Sequence, residues 1–178
     1  MGSGQHVDYV QLAMASTRRA FVAAMPYTFI VSDGTLARST GPMKTIPFDR
    51  IDVTLEEPPT TSAADRHAPR AFTALAIRKV FDTFPQMITV GRTANNDLVL
   101  PDVSVSKFHA FFRGLPGGKG HELVDAGSKN GTWVVSQELA PRGDGLPVKL
   151  GDRLRFGRVE FTVVDAGVCW DTVDRMRR

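Results

Sequence analysis

The chain of 178 residues has a single cysteine, Cys169, so no internal disulfide can brace it and its stability has to come from a packed core. That usage fits a reducing compartment, so the expected setting is cytoplasmic, with Cys169 buried or inert. Long hydrophobic runs are also lacking. The longest, AFVAAMPYTFIV at residues 20–31, is broken by Pro26 and falls well short of the roughly 20 residues a membrane-spanning helix needs, so no membrane partner is expected. The N-terminus has neither the positive start nor the apolar run of a secretion signal, and MGSGQH carries His6 where a myristoylation motif wants Ser or Thr. Charge of one sign is scarce: 22 Lys and Arg against 19 Asp and Glu leave a net +3, scattered rather than blocked, so no specific nucleic-acid partner is expected. The terminal RMRR is the one basic cluster and reads as a solvated end. His6, His67, His109 and His121 lie far apart and the cysteine has no partner at ligand spacing, so no metal site is expected. A Gly-rich nucleotide loop is missing too, and no cofactor is expected.

What remains is ordinary soluble composition, 42% apolar and 23% charged, in a chain sized for one domain plus an appendage. Two textures divide it. Residues 1–55 form a helical and β extension: Val10, Met14, Phe21 and Met25 fall near one face of a helix that stops at Pro26, and YTFIVSDG and FDRIDVTLEE read as strands. Residues 56–70, EEPPTTSAADRHAPR when read from Glu56, combine proline, small residues and charge with almost nothing to bury, and read as a mobile linker. From Ala71 to Asp165 short strands recur at close spacing, from FTALAIRKV through MITVGR, DLVL, HAFFRG, HELVDA, TWVVS, PVKL and DRLRFG to VEFTVVDA, with glycine-bearing turns between them. That texture predicts a mainly β fold, a sandwich or barrel. Residues 166–178 form a C-terminal helix and tail laid on the sheet by Trp170 and Val173.

Three loops hold polar residues a plain sandwich does not need: Gly91-Arg92, Ser106-Lys107-Phe108-His109, and Ser128-Lys129-Asn130-Gly131-Thr132. Each alone has a structural reading. Arg92 can be a solvated strand end, Asn130-Gly131 a type I′ hairpin turn, and Ser106 with His109 a locally hydrogen-bonded loop. Loops at one end of a sandwich converge, however, and there an arginine, a serine hydroxyl, lysines and an asparagine would face one ligand. Guanidinium, ammonium and hydroxyl donors suit a phosphate, and an asparagine amide suits a peptide backbone. The set fits a phosphorylated peptide better than a free metabolite.

These motifs carry a family resemblance. ITVGRTANNDLVLPDVSVSKFHAFF, ELVDAGSKNGTWV and LGDRLRFGRVEFTV, in that order, resemble the forkhead-associated (FHA) domain over residues 71–165. The resemblance implies an eleven-stranded β-sandwich whose loops bind phosphothreonine peptides, with Arg92 and Ser106 on the phosphate, Lys107 and Lys129 adding contacts, and Asn130 on the peptide backbone. His109, Gly91, Ser128, Gly131 and Thr132 then support the site. The implied partner is a phosphothreonine-containing protein, such as a Ser/Thr kinase or its substrate. The family's second Asn-Gly after Asn-Gly-Thr is replaced here by Val135-Ser136-Gln137, which alters a hairpin tip.

Two other functions compete with this non-catalytic signalling module. In a hydrolase, Ser106 would be the nucleophile, His109 the base and Asp125 or Asp102 the orienter, but no Gly-x-Ser-x-Gly turn is present. In a phosphate-independent scaffold, the N-terminal extension would dock a partner through its apolar face. The linker adds one more expectation: Thr60 and Thr61, once phosphorylated, could fold back into the chain's own site.

Overall fold

A computed structural model describes residues 6–32, 72–118 and 120–178. The second strand expected at FDRIDVTLEE, the linker at 56–70 and its Thr60 and Thr61 lie outside the described residues.

The helix expected before Pro26 is two helices, α1 (Tyr9–Met14) and α2 (Arg18–Ala24). Asp8 caps the first by accepting from the Val10 and Gln11 N–H groups, and Thr17 caps the second by accepting from Ala20 N–H. A hydroxyl that satisfies a free helix-end donor offers the backbone an alternative to continuing, so Ser16-Thr17 is where the helix breaks. The break also resets the buried face: Tyr9, Ala13 and Phe21 are inside, while Met14 is partly exposed.

Among the described residues eleven strands follow, forming two sheets: β1 (Phe29–Ser32), β2 (Thr73–Ala76), β3 (Ile88–Gly91), β4 (Leu98–Val99), β5 (Ala110–Gly114), β6 (His121–Asp125), β7 (Thr132–Val134), β8 (Gln137–Glu138), β9 (Leu146–Val148), β10 (Arg153–Phe156) and β11 (Val159–Val164). One sheet runs β2-β1-β11-β10-β7-β8, the other β4-β3-β5-β6-β9. Alternation decides which residues meet between them: Val90, Phe112, Leu123, Leu154 and Phe156 are all fully buried in the sandwich core. A buried phenylalanine such as Phe112 contributes about 3 kcal/mol by area alone.

β1 lies inside the first sheet, antiparallel to both β2 and β11. The strand read from sequence as part of an N-terminal extension therefore completes the sandwich. Ile30 points into the sandwich core, while Phe29 and Val31 point outward into a second core. Tyr9, Ala13 and Phe21 close that second core together with Cys169 and Val173 of a third helix, α3 (Ala166–Met176). The outer face of β1, β2 and β11 is thus covered by helices, which explains why FIVS is apolar without alternation.

Asn130-Gly131 does not turn a hairpin. The strands it joins, β6 and β7, belong to different sheets, and of the two residues only Gly131 has positive φ, at 80°. The segment instead crosses from one layer to the other. β8, with two exposed residues, escaped the strand reading because it has no apolar alternation to betray it. Its hairpin with β7 is closed by Val135-Ser136, with Val135 at φ 58°.

Candidate functional site

The loops leaving β3, preceding β5 and joining β6 to β7 meet at one end of the sandwich, and Ser106 is where they are tied. Its carbonyl accepts from Arg92 N–H at 3.0 Å and its hydroxyl accepts from Lys129 N–H at 3.0 Å. The approach of the first two loops depends on Gly91: a Cβ there would lie 2.2 Å from the Lys107 carbonyl oxygen, well inside contact distance. Below Ser106, His109 is fully buried. Its Nδ1 accepts from Ser106 N–H at 2.9 Å, so the ring proton sits on Nε2, which donates to the Gly131 carbonyl at 2.9 Å. One neutral imidazole thus joins two of the loops. Burial pushes its pKa below the usual value, against the smaller opposing effects of Gly131 and Asp125.

Asp125, at the end of β6, shapes the third loop. One carboxylate oxygen accepts from the Gly127 and Ser128 N–H groups, and the other from the Ser128 and Thr132 hydroxyls. Burial alone would raise this carboxyl, but the four donors outweigh it and hold it below the usual range. Asp97 performs the same service before β4. It is buried and accepts from Lys79 Nζ at 2.8 Å and from the N–H groups of Val80, Phe81 and Thr89. Asn96, next to it, donates to the Lys107 carbonyl at 2.8 Å.

The charged residues face outward from this frame. Arg92, Lys107 and Lys129 are exposed, and none forms an ion pair among the described residues. Three cations thus stand over a hydrogen-bonded floor with no anion of their own among the described residues. The Ser106 hydroxyl oxygen is held by Lys129 N–H, which leaves its proton to donate outward. Asn130, also exposed, is steered by its own Nδ2, which donates to the Ser104 carbonyl at 2.8 Å and leaves Oδ1 facing solvent as an acceptor.

The residues singled out in the sequence therefore fall into two groups. Arg92, Ser106, Lys107, Lys129 and Asn130 ring the surface, and Gly91, His109, Ser128, Gly131 and Thr132 build the layer beneath it. A hydrolytic pair is not assembled. His109 meets the Ser106 backbone rather than its hydroxyl, both ring nitrogens are committed, and Asp102 pairs with Ser104 and Arg158 instead of the imidazole. Sequence reasoning missed the supporting work of Asp97, Asp102, Ser104 and Asp125. An aspartate two or three residues before a serine in a turn was the available signal.

The model of the FHA domain family matches residues 88–157, from β3 to the turn after β10. The chain carries an FHA domain. Among curated proteins, the oxoglutarate dehydrogenase inhibitor of Corynebacterium diphtheriae is 36% identical over 77 residues, covering 43% of this chain and 50% of that one. The glycogen accumulation regulator GarA of Mycolicibacterium smegmatis is 39% identical over 70 residues, covering 39% of this chain and 40% of that one. The chain thus spans half or less of the length of these relatives. Among solved structures, that of Mycobacterium tuberculosis EmbR in complex with a low-affinity phosphopeptide has 24% identity, a TM-score of 0.42, and covers 52% of this chain and 22% of that one. The FHA domain here is mainly β, with its matched residues inside a sandwich whose first sheet is completed by β1, β2 and β11.

Proposed function

We propose that the FHA domain binds a phosphothreonine-bearing segment of another protein and performs no chemistry on it. Arg92 and the Ser106 hydroxyl take the phosphate, Lys107 and Lys129 add charge, and Asn130 Oδ1 accepts from a peptide N–H. The observation that carries this reading is the contrast in pairing. Asp97, Asp102 and Asp125 are each satisfied by several donors, whereas among the described residues Arg92, Lys107 and Lys129 form no ion pair and surround a hydroxyl whose oxygen accepts from Lys129 N–H. A phosphate of about −1.5 to −2 charge is the ligand that completes such a set. The names of the relatives, an enzyme inhibitor and a regulator, suit a module that acts by joining proteins. The partner class is a phosphorylated protein in a signalling pathway, either a Ser/Thr kinase or a kinase substrate, in a cytoplasmic setting.

The test is calorimetry with a phosphothreonine peptide and its unphosphorylated twin. The phosphorylated form binds and the twin does not. Arg92→Ala loses about 2–5 kcal/mol of binding, as for removal of one member of a charged pair, while its unfolding midpoint stays put because the guanidinium makes no ion pair among the described residues. Equal affinity for the two peptides overturns the reading.

A further inference from the structure

The turn between β10 and β11, which none of the three polar loops includes, is fastened to the same site. Gly157, at φ 61°, donates its N–H to the Gly131 carbonyl at 2.9 Å, and a Cβ there would come within 2.6 Å of the Ser104 carbonyl oxygen. Only bare backbone can approach so closely. The next residue, Arg158, donates its N–H to the Ser104 hydroxyl at 3.0 Å, and the Ser104 carbonyl is the group that holds Asn130. Asn130, Ser104 and Arg158 are therefore one hydrogen-bonded unit.

The Arg158 side chain is about half exposed and donates Nε to Asp102 Oδ1 at 3.2 Å. Asp102 is itself fixed, since the same oxygen accepts from the Ser104 N–H and hydroxyl. Arg18 shows the contrast, spending both Nε and a terminal nitrogen on Asp171. In Arg158 the terminal nitrogens take no partner among the described residues. Held by one edge and open at the other, the guanidinium presents a planar fork shaped for a carboxylate.

We infer that Arg158, oriented by Asp102, forms an anion-binding subsite beside Asn130 that takes an aspartate or glutamate side chain of the bound peptide, flanking the phosphothreonine. The subsite rests on the phosphothreonine reading above and gives it a specificity. Asn130 takes the peptide backbone, so the chain it holds runs past Ser104, and an acidic side chain on that stretch reaches the open fork. Arg158 touches the ligand; Asp102 is a positioning residue.

An oriented peptide library with a fixed phosphothreonine and degenerate neighbours tests this with the full chain, alongside the same library unphosphorylated. The wild type retains the phosphorylated library, and Asp and Glu are enriched at one flanking position by about threefold to fivefold, the range for a half-exposed ion pair. Raising salt to about 0.5 M shrinks that enrichment. Arg158→Gln abolishes the enrichment, and Arg158→Lys restores part of it. Arg158→Glu reverses it toward Lys and Arg. The Arg158 backbone bond to Ser104 survives each substitution, and an unchanged unfolding midpoint verifies that. Retention of the phosphorylated library with no acidic enrichment, or enrichment that persists in Arg158→Gln, overturns the subsite alone. Equal retention of the two libraries overturns the phosphothreonine reading and the subsite with it.

Discussion

His109 makes the stability of the site depend on pH, with a sign that its burial and hydrogen bonds fix. The buried ring is neutral, with Nδ1 accepting and Nε2 donating. Protonation would set a second donor against Ser106 N–H and place a charge where no water reaches, so its folded pKa lies below the unfolded value of about 6.5. The sign follows from linkage. As pH falls below about 6.5 the unfolded chain takes up a proton that the folded chain refuses, and stability drops by up to about 1.4 kcal/mol per pH unit until the folded pKa is reached. Above that window the contribution is fully present. Between pH 6.5 and 5.5 the loss from this one ring is at most about 1 kcal/mol. The aspartates do not intrude, because Asp97, Asp102 and Asp125 are held below the usual carboxylate range and lose their contributions only in stronger acid. His121, pushed in the same direction by burial, does titrate in the window, and a comparison removes it. Urea unfolding of the wild type and of His109→Gln at pH 7.5, 6.5 and 5.5 isolates the difference, since His121 is common to both. His109→Gln is less stable at pH 7.5 by about 2 kcal/mol, because one amide cannot span both the Ser106 N–H and the Gly131 carbonyl. The gap narrows as pH falls to 5.5, by at most about 1 kcal/mol. Parallel pH profiles would refute the neutral-ring argument.

Three further outcomes are expected. Gly91→Ala drives a methyl into the Lys107 carbonyl, 2.2 Å from the Cβ position, so the first two loops separate and phosphopeptide affinity falls at least tenfold by calorimetry. Val135→Asn relieves a β-branched residue held at φ 58° on an exposed tip and raises stability by about 0.5–1 kcal/mol in thermal unfolding. Cys169, fully buried and pushed up to about 12, stays unlabelled by a thiol reagent at about pH 8 in the native protein and reacts only on unfolding.

The β region was legible because short strands with apolar alternation announce themselves, and nine of the described strands from β2 to β11 fall on segments the pattern picks out. The failures share a cause. The helix before Pro26 has continuous periodicity, but Thr17 caps a second helix and the break turns Met14 outward. Asn130-Gly131 has the composition of a hairpin turn, yet its strands pair with other partners, and composition says nothing about which sheet a strand joins. FIVS was legible as a strand but not as an interior one, because the strands that flank it, β2 and β11, come from residues more than 40 positions away.

The order of the motifs, the turns that require glycine and the residue types that suit a phosphate were properties of the sequence, since each depends on local backbone geometry or on the chemistry of a side chain. Which of those residues are free to act was decided by the tertiary structure. His109 became a brace because its ring bonds Ser106 and Gly131 on two different loops, while Arg92 is exposed and makes no ion pair among the described residues. Arg158 is tied to Ser104 and Asp102, 54 and 56 residues away. Hydrogen bonds over such separations follow from how the sheets pack, and no local pattern encodes them.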